Sequence, residues 1–579
     1  MQRRNRMTLW ASIVSVLLLF AFGSPARAID EAGLDALRKL PVQDAGRVKP
    51  FDTLAREALQ LVYGRQEYES PHGDMRPAVE IVMTWMLVPQ YWDSQELMQV
   101  SHRGLKDSLQ LKIEQKRFTP LELMSNSRLP LVFQELIDLH KTKQKLTPYY
   151  QAVQQLENQL NTYQAFKMGQ AIRLVPPAPA TNTALGPNGQ PSEPERWTPV
   201  ADLKGDLQAK YSAIIRAFIQ TLPNESGAGA KLAETGEPKE SLAAAVETFK
   251  TAARAENPAL YPDEKIIAIE VHDQTLRPFM IAWILYLLTV LTMAAAWQTN
   301  KPIIYKLGWL FGILAFAMHT YGFGLRMYLM GRPPVSNMYE SVIWVSWGCV
   351  TFSMIFEAIQ RRKFILLAGS TVAIICLIVA DLAPTILDSS LTPLEPVLRS
   401  NMWLTIHVLT ITLSYSAYFL AWGLGNIGLG FILRGDKASS DRSRALVQSI
   451  YRAVQVGVVL LASGIILGGI WADYSWGRFW GWDPKETWAL IALLGYLAML
   501  HGRLIGWIQN FGMMVAAVIA FNLVLMAWYG VNYVLGAGLH SYGFGAGGIQ
   551  YVAGFVILNL IYVGYVTYIR ASHEKLRKV

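Results

Sequence analysis

The sequence predicts an α-helical polytopic membrane protein of about nine transmembrane helices, preceded by a mainly helical extracytoplasmic domain. Three observations carry this. Of the 579 residues, 52% are hydrophobic and 16% charged, a balance too apolar for a soluble chain of this length. From residue 278 onward, apolar segments follow one another at lengths close to the ~20 residues that a helix needs to cross a bilayer. The lysines and arginines between those segments fall mostly on alternate loops. The formal net charge of +9 is therefore read as charge flanking membrane spans, and no nucleic-acid partner is expected. The two cysteines, Cys349 and Cys376, lie inside apolar runs without a C-x-x-C arrangement, so the chain carries no thiol redox motif or zinc knuckle of its own.

The N-terminus has a basic start at Arg3, Arg4 and Arg6, an apolar core, and the small-x-small pattern Ala26-Arg27-Ala28. This reads as a signal peptide over residues 1–28, with a retained anchor helix as the alternative. Residues 29–277 form the expected extracytoplasmic domain. Runs such as TPYYQAVQQLENQLNTYQAFKMGQ and SLAAAVETFKTAARA are rich in helix formers at helical apolar spacing. The Pro, Gly and Asn-rich stretch 176–197 reads as a loop or linker. His72, His102, His140 and His272 are scattered without ligand spacing, as solvated surface histidines would be.

The apolar segments lie near 278–297, 307–325, 338–357, 364–383, 403–432, 452–472, 487–506, 511–535 and 549–569. If the first span starts outside, the inner loops and tail hold fifteen basic residues, from Lys301 to Lys578. The outer loops then hold five: Arg326, Arg332, Arg399, Arg478 and Lys485. That asymmetry places the C-terminus inside.

The stretch WGRFWGWDPKETW, residues 476–488, then falls on the outer face between the sixth and seventh spans. Some of it is a helix start: Asp483 suits the N-cap, Pro484 the first helical position, and Glu486 completes a capping-box arrangement. An interfacial aromatic belt is a further structural explanation for the tryptophans. Trp476, Trp480 and Trp482, crowded into one short loop with Gly477 and Gly481 between them, instead suggest a platform for a large planar ligand. His407, at the outer end of the fifth span, and His540, in the loop GAGLHSYGFG, share that face, and two imidazoles on opposite sides of a planar ligand are what bis-histidine haem ligation requires. His319 and His501 lie within apolar spans, where ionisable groups are costly and usually functional. Helical rise puts them ~18 Å and ~9 Å from the inner surface, levels that do not match closely. Each of the four histidines also has a plain reading as a satisfied structural residue.

The segment WGRFWGWDPKETWALIALLGYLAMLHGR resembles the tryptophan-rich (WWD) signature and following helix of the CcsA (ResC) proteins of cytochrome c biogenesis. GRPPVSNMYES at 331–341, LEPVLRSNMWLTIHV at 394–408 and GVNYVLGAGLHSYGF at 530–544 are similar to other segments of that family. PVQDAGRVKPFDTLA, residues 41–55, resembles a stretch ahead of the CcsA region in some CcsB-CcsA fusion proteins. Residues 278–579 would on this resemblance be a haem-handling domain. It implies His407 and His540 as outer axial ligands, His319 and His501 as the transmembrane haem site, and Trp476, Trp480, Trp482 and Asp483 as the haem-binding loop. The implied substrate is haem b, and the implied activity is that of a cytochrome c synthase (haem lyase) component that presents haem for thioether attachment to the CxxCH motif of apocytochrome c. A CcsB (ResB)-type partner is implied because the spans of a CcsB region are not found ahead of residue 278, and a thioredoxin-like reductant is implied for the client's thiols. The implied location is the bacterial inner membrane, with the soluble domain and attachment site on the periplasmic side. Two other functions fit the same residues, a haem exporter without synthase activity and a haem-containing electron-transfer subunit of a quinone-linked complex.

Overall fold

The computed structural model describes residues 30–71, 73–142, 146–179, 196–222, 240–382, 387–393, 401–535 and 548–576. The signal segment, most of the stretch 176–197, Arg399 and His540 lie outside them. The chain divides into two compact units, Met1–Val271 and His272–Val579.

The first unit has one hydrophobic core, with Phe51, Leu59, Val82, Trp85, Leu136, Tyr163, Phe218 and Phe249 among its buried residues. Its longest helices are Pro148–Lys167 and Gly205–Thr221. Four short two-stranded antiparallel ladders complete it. Strands of two to four residues are too short to show a period of two, so the sequence, read as mainly helical, does not place them. Pro41–Asp44 pairs with Arg47–Pro50 around a turn at Ala45 and Gly46, both with positive φ, the backbone twist that tight hairpins need. The segment 41–55 thus forms a hairpin that runs directly into the helix Phe51–Tyr63. That helix buries Asp52 between Arg38 and Arg56, at 3.0 and 2.8 Å, while Arg47 makes a bidentate pair with buried Glu270. The stretch 176–197 leaves and re-enters this same unit, because Arg173 and Val175 pair with Pro199 and Thr198 across it.

The second unit is a bundle of spans. Among the described residues, nine helices are long and apolar enough to cross a membrane, as the apolar segments predict. In order they are Pro278–Thr299, Pro302–Met330, Met338–Gln360, Phe364–Leu382, Asn401–Leu433, Asp441–Trp476, Pro484–Leu504, Asn510–Leu525 continued by a π-helical stretch Met526–Leu535, and Ile549–Leu576. The protein is a multi-pass α-helical membrane protein. Several helices run past the apolar segments, since a helix end need not be apolar: Arg442, Arg444 and Arg452 sit on the sixth helix, and Arg326 on the second.

Spans one to four enclose one core, around Tyr286, Phe323, Tyr339, Ile343 and Leu377. Spans five to nine enclose another, with contributions from spans three and four, around Tyr418, Leu446, Tyr496, Met514 and Phe521. The fifth span is the most enclosed of the bundle: 78% of its apolar stretch is buried, against 11% for the ninth. Its partner is the sixth span, and the seam between them is lined by glycines. A Cβ on Gly457 would stand 2.4 Å from the Tyr418 ring, one on Gly464 would stand 3.0 Å from the Ile411 Cα, and one on Gly468 would stand 2.5 Å from His407 Cε1. The spacings of seven and four put the three on one helix face, and close backbone approach through small residues is how helices associate where no water drives them together.

Arg326 and Arg332, read from the sequence as outer-loop charges, are buried. They share Glu340, at 3.3 and 3.0 Å, and donate to the carbonyls of Ser389 and Thr392. This ion cluster ties the connection after the fourth span to the hairpin between the second and third.

Gly464→Ala is expected to lower the apparent melting temperature of the detergent-solubilised protein by the equivalent of about 1–3 kcal/mol, because the methyl meets backbone. Gly554→Ala, with nothing within 4 Å of its Cβ, should leave it unchanged. Equal effects would mean that the seam is not close-packed.

Candidate functional site

The sixth helix sets the site, because it continues to Trp476 and ends on Gly477 in the left-handed conformation, a C-cap that glycine adopts without strain. The chain then folds back on that helix. Trp476 packs edge-on to Trp471, with ring centroids 4.6 Å apart, and Phe479 lies where a Cβ on Gly469 would be, 2.6 Å from its Cζ. Arg478 places its guanidinium 5.6 Å from the Trp476 ring and pairs with Glu486 at 3.3 Å. Glu486 also accepts from the backbone N–H groups of Gly481 and Asp483, at 2.8 and 3.2 Å. The Arg478 guanidinium lies against Gly481, where a Cβ would stand 1.5 Å from Nη1, so a side chain there would displace the arginine. Trp480 and Trp482 stand perpendicular, with centroids 5.8 Å apart. Trp482 takes a left-handed φ of 56°, a conformation that costs a bulky residue on the order of 1 kcal/mol or more, and its indole is 69% exposed.

Asp483 is buried and caps the seventh span, with both halves of the capping box formed with Glu486. The helix-start reading of Asp483, Pro484 and Glu486 thus accounts for their geometry.

His407 sits in the second turn of the fifth span, and its Nδ1 lies 2.7 Å from the carbonyl oxygen of Gly464. A carbonyl only accepts, so Nδ1 carries the proton and Nε2 is the basic nitrogen of the neutral ring. The imidazole runs parallel to Trp471, 8° apart with centroids at 6.5 Å. The structure therefore joins His407, Trp471 and Trp476 into one aromatic assembly. Trp471 was not among the sequence candidates, because it lies inside the helix, five residues before the tryptophan loop. Only its spacing to Trp476 and the glycines one turn earlier signal it.

The eighth span reaches the same end of the bundle. Its π-helical stretch holds Asn532, which accepts from Lys485 Nζ at 3.1 Å, and Trp528, whose indole donates to Ser341 at 3.1 Å. Extended π-helix is rare and frequent at functional sites. The stretches 331–341 and 476–488, separate in sequence, are thus both linked through hydrogen bonds to this one π-helical stretch.

His319 is fully buried in the other core, between Phe279, Tyr286 and Phe323. Its Nδ1 lies 3.3 Å from the Tyr286 hydroxyl. His501 is exposed in the last turn of the seventh span, with its Nδ1 2.7 Å from the carbonyl of Leu497. His319 follows Pro302 by ~26 Å of helix and His501 precedes Leu504 by ~5 Å, so the structure does not bring these two together.

The profile of the cytochrome C assembly protein family matches residues 335–540, a range that includes Ser341, the tryptophan loop and the π-helical stretch. Cytochrome c biogenesis protein CcsA of Parasynechococcus marenigrum is 33% identical over 289 residues, 45% of this chain and 93% of that protein. The chain belongs to the CcsA family of cytochrome c biogenesis proteins. Protein NrfI of Wolinella succinogenes is 39% identical over 240 residues, 41% of this chain but 26% of that protein, so the chain spans about a quarter of that relative's length. The solved structure of the cytochrome c heme lyase CcmF is matched at 14% identity over half of each chain with a TM-score of 0.37, too distant a likeness to inform the site.

Asn caps a helix as well as Asp does, so Asp483→Asn should leave the apparent melting temperature unchanged, while Asp483→Ala should cost about 1 kcal/mol. Equal losses in the two variants would show that the charge of Asp483 is used, not its cap.

Proposed function

We propose that this CcsA-family chain carries haem b to the tryptophan end of its bundle and holds it there while apocytochrome c is joined to it through the thiols of a CxxCH motif. The observation that supports this best is the state of His407. Its Nδ1–H is engaged by the Gly464 carbonyl, the arrangement by which proteins fix the ring of a metal-ligating histidine and raise the basicity of the other nitrogen. Gly468 lets that ring lie against the sixth helix, and Trp471, parallel to it, supplies flat apolar surface at its side. Haem supplies an iron with its equatorial ligands already in place, so two imidazoles complete it. His407 is proposed as one outer ligand and His540 as the second.

The work of the chain in this reading is to bind, orient and exclude water. Trp476, Trp480 and the exposed Trp482 offer aromatic faces. Arg478, Glu486 and Gly481 hold the loop in its folded-back form. His501, whose Nδ1–H is likewise used by a carbonyl, is proposed as the ligand on the opposite level. A common site with His319 would require the two span groups to move against each other. The tryptophan end is assigned to the periplasmic side of a bacterial inner membrane, with the first unit on that side and the C-terminus in the cytoplasm, on the distribution of basic residues. A CcsB-type membrane partner and a thioredoxin-like thiol reductant complete the proposed system.

His407→Ala is expected to reduce maturation of a co-expressed reporter cytochrome c at least tenfold, with partial rescue by added imidazole, and Trp471→Ala to reduce haem bound to the purified protein. Pyridine haemochrome spectra and haem-stained gels read both. Normal maturation in His407→Ala would overturn the assignment, and tightly held, quinone-reducible haem with no effect on maturation would favour an electron-transfer subunit.

A further inference from the structure

In the second core, two tyrosines meet that no step above uses. Tyr418 of the fifth span and Tyr496 of the seventh are fully buried and stacked face to face, with ring centroids 3.6 Å apart and planes 8° from parallel. Neither hydroxyl has a hydrogen-bond partner among the described residues. Both features are unfavourable. Aromatic rings prefer an offset or edge-on arrangement to a direct sandwich, and a buried hydroxyl without a partner loses its hydration for nothing. Phenylalanine at either position would keep the ring and remove the second cost. The pair makes sense if the closed stack is one of two states and the hydroxyls find their partner in the other.

Its place in the bundle says which partner. Tyr418 follows His407 by three turns on nearly the same face of the fifth span, ~17 Å along the helix, and Tyr496 precedes His501 by ~8 Å on the seventh. The stack therefore stands between the level of His501 and that of His407. It also lies on the glycine seam, since Gly457 admits the Tyr418 ring at a point where a methyl would be 2.4 Å from Cε1. That leaves the ring bounded by bare backbone on one side and by Tyr496 on the other.

We propose that Tyr418 and Tyr496 are the two plates of a closed slot for a flat macrocycle bearing carboxylates, a step on the passage of haem between the two histidine levels. This rests on the haem-handling reading above. Parted by about one aromatic thickness, ~3.5 Å, the rings cover the two faces of the macrocycle. Their hydroxyls, donors that lack an acceptor when the slot is shut, donate to its carboxylates. When it is shut, the same rings seal the bundle.

The test uses the full-length protein with a CcsB-type partner and a reporter apocytochrome, and compares Tyr418→Phe, Tyr496→Phe and the double variant with wild type. The double variant should melt at or above the wild-type temperature, retain bound haem by pyridine haemochrome, and mature the reporter at least fivefold less. Imidazole, which rescues His407→Ala, should not rescue it. Gly457→Ala, which presses on the ring and leaves both hydroxyls, gives a second reading with the same expected loss. A folded double variant that matures the reporter within twofold of wild type, or a defect that imidazole repairs, overturns the slot. Wild-type protein free of haem would instead remove the haem-handling reading itself, a result distinct from a haem-loaded variant that works normally.

Discussion

The close approach of the fifth and sixth spans is the constraint on which the tryptophan end depends. In a bilayer, apolar surface alone does not hold two helices together, so the contact relies on packing and on backbone reaching backbone. Gly457, Gly464 and Gly468 provide that approach, and each also does something local. Gly464 offers its carbonyl to His407, Gly468 makes room for the imidazole, and Gly457 admits Tyr418. A methyl at Gly464 would press on the backbone of the fifth helix at Ile411, and one at Gly468 on the His407 ring itself. The same three positions thus set both the stability of the seam and the orientation of the proposed ligand.

The tryptophan loop is held by polar groups, not by burial. Glu486 gathers Arg478 and two backbone N–H groups, and Lys485 reaches across to the π-helical stretch of the eighth span. This frame lets Trp482 remain exposed in a left-handed conformation. An unfavourable backbone together with exposed apolar surface is the arrangement expected where a partner or ligand is awaited. Glu340 acts comparably in the hairpin between the second and third spans, where Arg326, Arg332 and the N–H of Ser336 converge on a single carboxylate. These anchors all lie at helix ends, where a rigid bundle can position groups that a free loop could not.

The spans were legible in the sequence because crossing a bilayer demands a long apolar helix whatever its neighbours are. The cap at Asp483 was legible for a similar reason: a helix start is a local problem solved within four residues. Trp471 was not legible, since one tryptophan inside an apolar helix looks like any other, and its value comes from the parallel imidazole that another helix presents. The short ladders of the first unit were hidden because their strands are too brief to show a pattern, and because pairing can join residues far apart, as Arg173 does with Pro199.

Of the four histidines singled out by residue type and depth, the structure distinguishes three. His407 is anchored beside aromatics, His319 is shut inside the other core, and His501 stands exposed at a helix end. The sequence by itself determined the apolar spans, the cap at Asp483 and a set of candidate residues, because hydropathy and capping act over a few neighbouring residues. Tertiary structure alone decided which of those residues meet. The glycine seam and the stacked tyrosines depend on which helix faces pack together, and that choice involves every span at once.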